Sequence, residues 1–256
     1  MGTDAMTRTD APALLEVSGL HVAYGKAEVV HGVDFQVRKG EFVVLLGRNG
    51  AGKSTMLHAI CGLIGKRAGK VSFKGQDIAA LDPRGIVRAG IVNVLEGHRV
   101  FTQLSVEDNL LIGTYARHPH GDRGKLERIY TLFPELAERR HQMASRLSGG
   151  QQQILAVGQG VIGDPRLLIL DEPSGGLAPI VIDRILDVAS QLCASGLAIL
   201  LVEQLVDKAL RHANYGYLVE TGRIAAEAPA DELRESDVLH RVYLGGNAAA
   251  LRKEPA

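Results

Sequence analysis

Nine residues, Gly47 to Thr55, read G-R-N-G-A-G-K-S-T and satisfy the pattern G-x-x-x-x-G-K-[ST] at every specified position. Residues of these types at this spacing grip the phosphates of a nucleoside triphosphate. Gly47, Gly50 and Gly52, interleaved with Arg48, Asn49 and Ala51, let the backbone turn tightly and aim its N–H groups inward. Lys53 can reach the β and γ phosphates, and the Ser54 hydroxyl, followed by Thr55, can ligate Mg²⁺. Far along the chain stand two adjacent acids, Asp171 and Glu172. In a protein with such a loop, one acid suits a magnesium ion and the other a water that must be polarised. A third stretch, Ser148-Gly149-Gly150-Gln151, can form a capping box whose first N–H groups make a second anion site, although a plain helix cap uses the same atoms.

These groups need elements to hold them. Phe42 to Leu46 is a short apolar run, and Met56 to Ile64 has helical spacing, so the loop sits between a strand and a helix opening at Lys53. Leu167 to Leu170 is a buried type of strand that delivers Asp171 and Glu172. A helix from Pro179 to Ser195 follows, then a strand from Leu197 to Val202 with Glu203 and Gln204 at its end. This alternation predicts a parallel sheet with helices on both faces and ligands along the strands' C-terminal edge. Upstream, Leu14 to Val17 and His21 to Ala23 read as two short strands, and Val33 to Val37 as a half-buried one. Tyr24, next to Gly25, is either a stacking partner for a base or an ordinary strand-end residue. Asp82 with Pro83 suits a helix start, and Ser105 with Asp108 caps another. From Leu95 to Ile162 the chain forms a helical lobe inserted in the core, with His118, Pro119 and His120 in a solvated break. The hairpin Tyr215–Ala226 and two short helices close the chain.

Lys plus Arg equals Asp plus Glu, 29 each, so no global field draws the chain to nucleic acid or anionic lipid. No apolar run approaches the roughly 18 residues of a membrane span. The first ten residues lack a signal peptide's apolar core, so export is not expected. Cys61 and Cys193 have no metal-like spacing and read as buried, reduced thiols. With 46% apolar residues in 256, one domain over residues 13–246 is expected, flanked by loose tails at 1–12 and 247–256.

Taken in this order, the motifs resemble the ATP-binding subunit of an ABC transporter from about Leu14 to Gly245. L-S-G-G-Q at Leu147 to Gln151 is that family's own signature and separates it from other phosphate-loop ATPases. The resemblance implies an α/β fold: a P-loop NTPase (RecA-like) core with a mixed or parallel sheet, an N-terminal antiparallel β subdomain and an inserted α-helical signature subdomain. It implies ATP and Mg²⁺ as ligands, Tyr24 stacking on adenine, Asp171 on the metal and Glu172 as catalytic base.

Within the family the chain is similar to the shorter of two ATPase subunits of branched-chain amino-acid uptake systems, and to their urea and amide relatives. That likeness rests on E-G-x-R-x-F at Glu96 to Phe101, D-E-P-S-x-G-L-A-P at Asp171 to Pro179, L-V-E-Q at Leu201 to Gln204 and Y-L-G at Tyr243 to Gly245. Glu96 stands where most relatives carry a magnesium-sensing glutamine, and a carboxylate there can ligate the metal directly. Gln204 stands where most carry a histidine facing the γ-phosphate; its amide can donate but does not titrate near neutrality. Leu95, His98, Thr102, Gln159, Gly175 and Leu205 depart from the residues usual in the subfamily, and Gly160 lowers helix propensity beside Gln159, so reduced turnover is expected.

The resemblance further implies a head-to-tail pair of ATPase subunits, a heterodimer before a homodimer, with each ATP held between one loop and the other subunit's signature. Two membrane permease subunits and, indirectly, an external substrate-binding protein complete the expected assembly, placing the chain peripherally on the cytoplasmic face of the inner membrane. The competing expectation is a soluble ABC ATPase acting on nucleic acid, ribosomes or cluster assembly. Neutral charge, a single ATPase copy and the lack of a coiled coil between loop and signature speak against it.

Overall fold

The computed structural model of the protein describes residues 12–97, 99–116 and 121–244. His98, His118 to His120, the 247–256 tail and nearly all of the 1–12 tail therefore lie outside the described residues. In chain order the elements begin with strands β1 (Ala13–Tyr24), β2 (Ala27–Arg38) and β3 (Phe42–Leu46), then helix α1 (Lys53–Ile60). Strands β4 (Ala68–Phe73) and β5 (Gln76–Asp77), helix α2 (Pro83–Ala89) and strand β6 (Ile91–Val94) lead into the lobe. There lie α3 (Val106–Ile112), α4 (Leu126–Leu132), α5 (Pro134–Ala137) and α6 (Gly149–Ile162). The second half runs β7 (Leu167–Asp171), α7 (Pro179–Ala194), β8 (Ala198–Glu203), α8 (Val206–His212), β9 (Tyr215–Glu220), β10 (Arg223–Pro229), α9 (Ala230–Arg234) and α10 (Asp237–Leu244).

Two sheets result. One is antiparallel, ordered β2-β1-β4-β5; the other is ordered β10-β9-β3-β8-β7-β6, parallel except for the β9–β10 hairpin. The expected pair of short strands at the start is one strand, β1, because register shifts on either side of Leu20 absorb the irregularity at Ser18 and Gly19 without ending the ladder. Helix starts follow the sequence: Asp82 accepts from the Gly85 N–H at 2.7 Å and Ser105 from the Asp108 N–H at 3.1 Å.

The strand period of two places alternate side chains in different cores. Phe42, Val44 and Leu46 of β3 join Leu168, Leu170, Ile199 and Leu201 in a core shared with the helical lobe. Val43 and Leu45 join Leu167, Ile169, Leu200 and Val202 in a second core under the antiparallel sheet and α1. This continuous apolar character on both faces is why β3, β7 and β8 can be read directly from sequence. Cys61 and Cys193 are both buried and free of disulfides, and burial pushes the Cys61 thiol up to about 12.

Gly160 is more than a weak helix former: a Cβ there would stand 2.8 Å from Val94 Cγ2 and 3.1 Å from Leu168 Cδ1. The glycine lets α6 lie close on β6 and β7. Gly160→Ala gains about 1 kcal/mol of helix propensity but overpacks against a stiff β-branched side chain at a cost of about 1–3 kcal/mol. A net loss of about 1 kcal/mol in denaturant unfolding is the expected outcome.

Candidate nucleotide site

The loop between β3 and α1 is clamped from two sides. The Ala51 N–H turns back to the Arg48 carbonyl at 3.1 Å, and the Ala51 carbonyl accepts from the Gly222 N–H of the β9–β10 turn at 2.9 Å. Gly52 caps α1 at φ 99°, where a Cβ would stand 3.2 Å from the Val29 carbonyl, so the loop reaches its helix only through a glycine. Lys53 is 3% exposed and folds back over the loop, donating to the Gly47 carbonyl at 2.8 Å and the Arg48 carbonyl at 3.2 Å.

The acids meet it from the neighbouring strand ends. Ser54 Oγ donates to Asp171 Oδ1 at 3.1 Å, joining the start of α1 to the end of β7. Burial pushes the Asp171 carboxyl above the usual carboxylate range; the Ser54 hydrogen bond pulls it back, and Glu172 and Glu96 add to the rise. Glu172 sits between two donors, 3.1 Å from Lys53 Nζ and accepting from Gln204 Nε2 at 2.7 Å. Its backbone is left-handed at φ 44°, a conformation costing a non-glycine residue about 1–2 kcal/mol. The Glu172 N–H donates to the Val202 carbonyl at 2.9 Å and helps hold that turn.

Glu203 holds the rest. It is 2% exposed and accepts from Ser174 N–H (3.0 Å), Ser174 Oγ (2.9 Å) and Gln204 N–H (2.9 Å). Sequence reasoning passed over this role; the available signal was a charge closing an otherwise apolar strand. Glu203→Ala leaves buried N–H groups unpaired, at about 1–3 kcal/mol each. Expected is a 10- to 100-fold fall in kcat, order of magnitude, with ATP affinity retained, measured by separate binding and turnover assays. Unchanged kcat would show that the turn is set elsewhere.

Glu96 Oε1 would stand 3.8 Å from a Cβ built on Gly175, which brings its carboxylate beside the Asp171–Glu172 turn. Tyr24 is 51% exposed at the end of β1, with its ring open to a flat partner. Ser148 and Gln151 form the full capping box, Gln151 N–H to Ser148 Oγ at 3.3 Å and Ser148 N–H to Gln151 Oε1 at 3.0 Å. Gly150 has a packing reason, since a Cβ there would come 2.9 Å from Val181 Cγ2 on α7. Helix α6 packs on α3, α4, α7 and β6, whereas α1 packs on β1 and β2, so signature and phosphate loop stand on different parts of the fold. The structure thus brings Gly47, Lys53, Ser54, Asp171, Glu172 and Gln204 together by direct contacts, and seats Ser148 to Gln151 on the lobe.

Hydroxyl and carboxylate oxygens are the donor set magnesium prefers, and the crowd of carboxylates around Asp171 fits a cation. Among the described residues no group of three or more His, Cys, Asp or Glu is arranged to hold a metal. An ion held by Ser54 and Asp171 would take its remaining ligands from phosphate oxygens and water.

Residues 30–175 match the family model described as ABC transporter. The chain is 40% identical to the high-affinity branched-chain amino acid transport ATP-binding protein BraG of Pseudomonas aeruginosa, over 91% of this chain and 100% of that one. It is 34% identical to the probable branched-chain amino acid transport ATP-binding protein LivF of Archaeoglobus fulgidus, over 91% and 99% respectively. A solved nucleotide-free ATP-binding cassette from an ABC transporter superposes with a TM-score of 0.81 at 25% identity, covering 91% of this chain and all of that one. With the phosphate loop, the acids and the signature in place, these matches lead to one conclusion: the chain belongs to the ABC transporter family, among its ATP-binding, ATP-hydrolysing subunits.

Proposed function

We propose that the chain powers an importer of branched-chain or chemically related amino acids by hydrolysing ATP between two ATPase subunits. The observation that carries the hydrolytic part is Glu172, a carboxylate held between Lys53 Nζ and Gln204 Nε2 beside the phosphate loop. With ATP bound, Lys53 turns its ammonium from Glu172 to the β and γ phosphates, freeing the carboxylate for water. The water oxygen attacks the γ phosphorus, its proton passes to Glu172, and the bond to the β–γ bridging oxygen breaks, releasing ADP and phosphate. Ser54 and Asp171, with Glu96 nearby, would hold Mg²⁺, which when bound supplies charge neutralisation on the phosphates. Gln204 keeps Glu172 oriented without titrating. Tyr24 stacks on the adenine, and Ser148 to Gln151 of the second subunit close over the γ-phosphate.

The second subunit is assigned as a different ATPase chain, and the pair as peripheral on the cytoplasmic face of the membrane. No helix among the described residues is long and apolar enough to cross a membrane. The permease is assigned to a groove of about 290 Å³ between β6 and the lobe, lined by Leu95, Arg99, Phe101, Ile112 and Gln159. Fully buried Asn109 staples the rim of this groove by accepting from the Phe101 N–H at 2.8 Å, and Gln159 Nε2 donates to the Asn109 carbonyl at 2.8 Å. The test is uptake of labelled leucine, valine and urea in cells lacking the chain and in complemented cells. Restored leucine and valine uptake supports the proposal; restored urea uptake alone, or copurification with ribosomes instead of membrane subunits, overturns it.

A further inference from the structure

Gln204 belongs to two environments. Its amide donates to Glu172, and its side chain also lines a groove of about 640 Å³ together with Leu205, Val206, Arg211, Arg234, Leu239 and Tyr243. The groove has an apolar side, from α8, its preceding Leu205 and the α10 residue Leu239, and a cationic side. Arg211 is exposed and has no ion-pair partner among the described residues. Lys208 on the same wall is engaged by Asp183, and Asp207 is the acid among the lining residues. Arg234 is only loosely paired with Asp231, at 3.6 Å, and donates from Nη2 to the Leu210 carbonyl at 3.2 Å.

One wall atom, Arg234 Nε, is buried without a hydrogen-bond partner. Such a group costs stability unless something satisfies it. Burial pushes the Tyr243 phenol up to about 12, hydrogen bonding to the Gly47 backbone pulls it back, and Glu203 and Glu172 add to the rise, so this side chain stands between the groove and the phosphate loop. The hydrolytic mechanism uses none of these residues except Gln204.

We propose that this groove is a regulatory site for a small amphipathic carboxylate. Its anionic head meets Arg211 and the part-exposed guanidinium of Arg234, and a branched aliphatic body lies against Leu205, Val206 and Leu239. A guanidinium beside an apolar wall favours a carboxylate with a hydrocarbon tail over inorganic phosphate, which would leave the wall wet. An occupant drawing the Gln204 amide toward its carboxylate weakens the hold on Glu172 and slows hydrolysis. Binding stands on the groove alone; the effect on hydrolysis rests on the function proposed above.

The test uses the full chain with 4-methyl-2-oxopentanoate as probe, and acetate, inorganic phosphate and 3-methylbutan-1-ol as controls. Expected is a saturable rise in melting temperature with the probe alone, without nucleotide. Arg211→Gln and Arg234→Gln should each weaken the effect about tenfold, the loss of one charge-assisted contact. Arg211→Gln should leave basal hydrolysis unchanged, which keeps the test meaningful if Arg234→Gln fails to fold. In the assembled transporter the probe should lower hydrolysis several-fold at saturating ATP. No saturable shift, an equal shift with phosphate, or a shift kept in Arg211→Gln overturns the site. A shift with unaltered hydrolysis overturns the regulation, whereas a chain that binds the probe but never hydrolyses ATP overturns the proposed function instead.

Discussion

Glu172→Gln is expected to cut ATP hydrolysis by about a thousandfold while ATP stays bound. The carboxylate can take a proton from water, and its direction is already fixed by Lys53 Nζ at 3.1 Å and Gln204 Nε2 at 2.7 Å. A glutamine keeps the size but cannot accept that proton. It also releases Lys53 from an anionic competitor, so ATP should bind at least as tightly as in the wild type. Phosphate release, calorimetric ATP binding and light scattering together read the effect: turnover lost, binding kept, paired subunits accumulating. Turnover within threefold of wild type would remove Glu172 from the role of base.

Lys53→Ala acts through the same pair in the opposite direction. The Lys53 side chain is 3% exposed and the Glu172 side chain 15% exposed. Taking away one partner of such a buried pair leaves the other charge uncompensated, at a cost of about 3–5 kcal/mol. Stability should fall by that order, and ATP affinity should fall about 100-fold with the loss of charge-assisted contacts to the phosphates. The double change Lys53→Ala with Glu172→Gln separates the two effects: unfolding free energy recovers, because no lone carboxylate remains, while ATP affinity does not. Recovery of affinity as well would mean that Lys53 serves the fold and not the nucleotide.

Much of this site was legible because its chemistry is local in sequence. The loop, Asp171 and Glu172, and the signature are each contiguous, and each sits at the end of an element whose pattern is unambiguous. Strands β3, β7 and β8 are apolar on both faces, which leaves little else for them to be. Less was legible where function depends on contacts between distant residues. Glu203 holds Ser174 across 29 positions, and nothing near either residue announces the pairing. Strand β5 is two exposed residues, and α5 is four residues opening on Pro134, too short for any periodicity. The spacing of Gly160 reports only a poor helix former; its value emerges when β6 is seen lying against it.

The alternation of side chains along β3, β7 and β8 has a mechanical consequence. Each of these strands is bolted on one side to the lobe and on the other to the antiparallel sheet, so neither half can loosen by itself without exposing one face of a common keel. Their amides should be the slowest of the molecule to exchange with solvent, opening only when the whole chain unravels. The stroke of this engine must therefore be carried by pieces bolted on at a single face, swinging about a plate that does not bend.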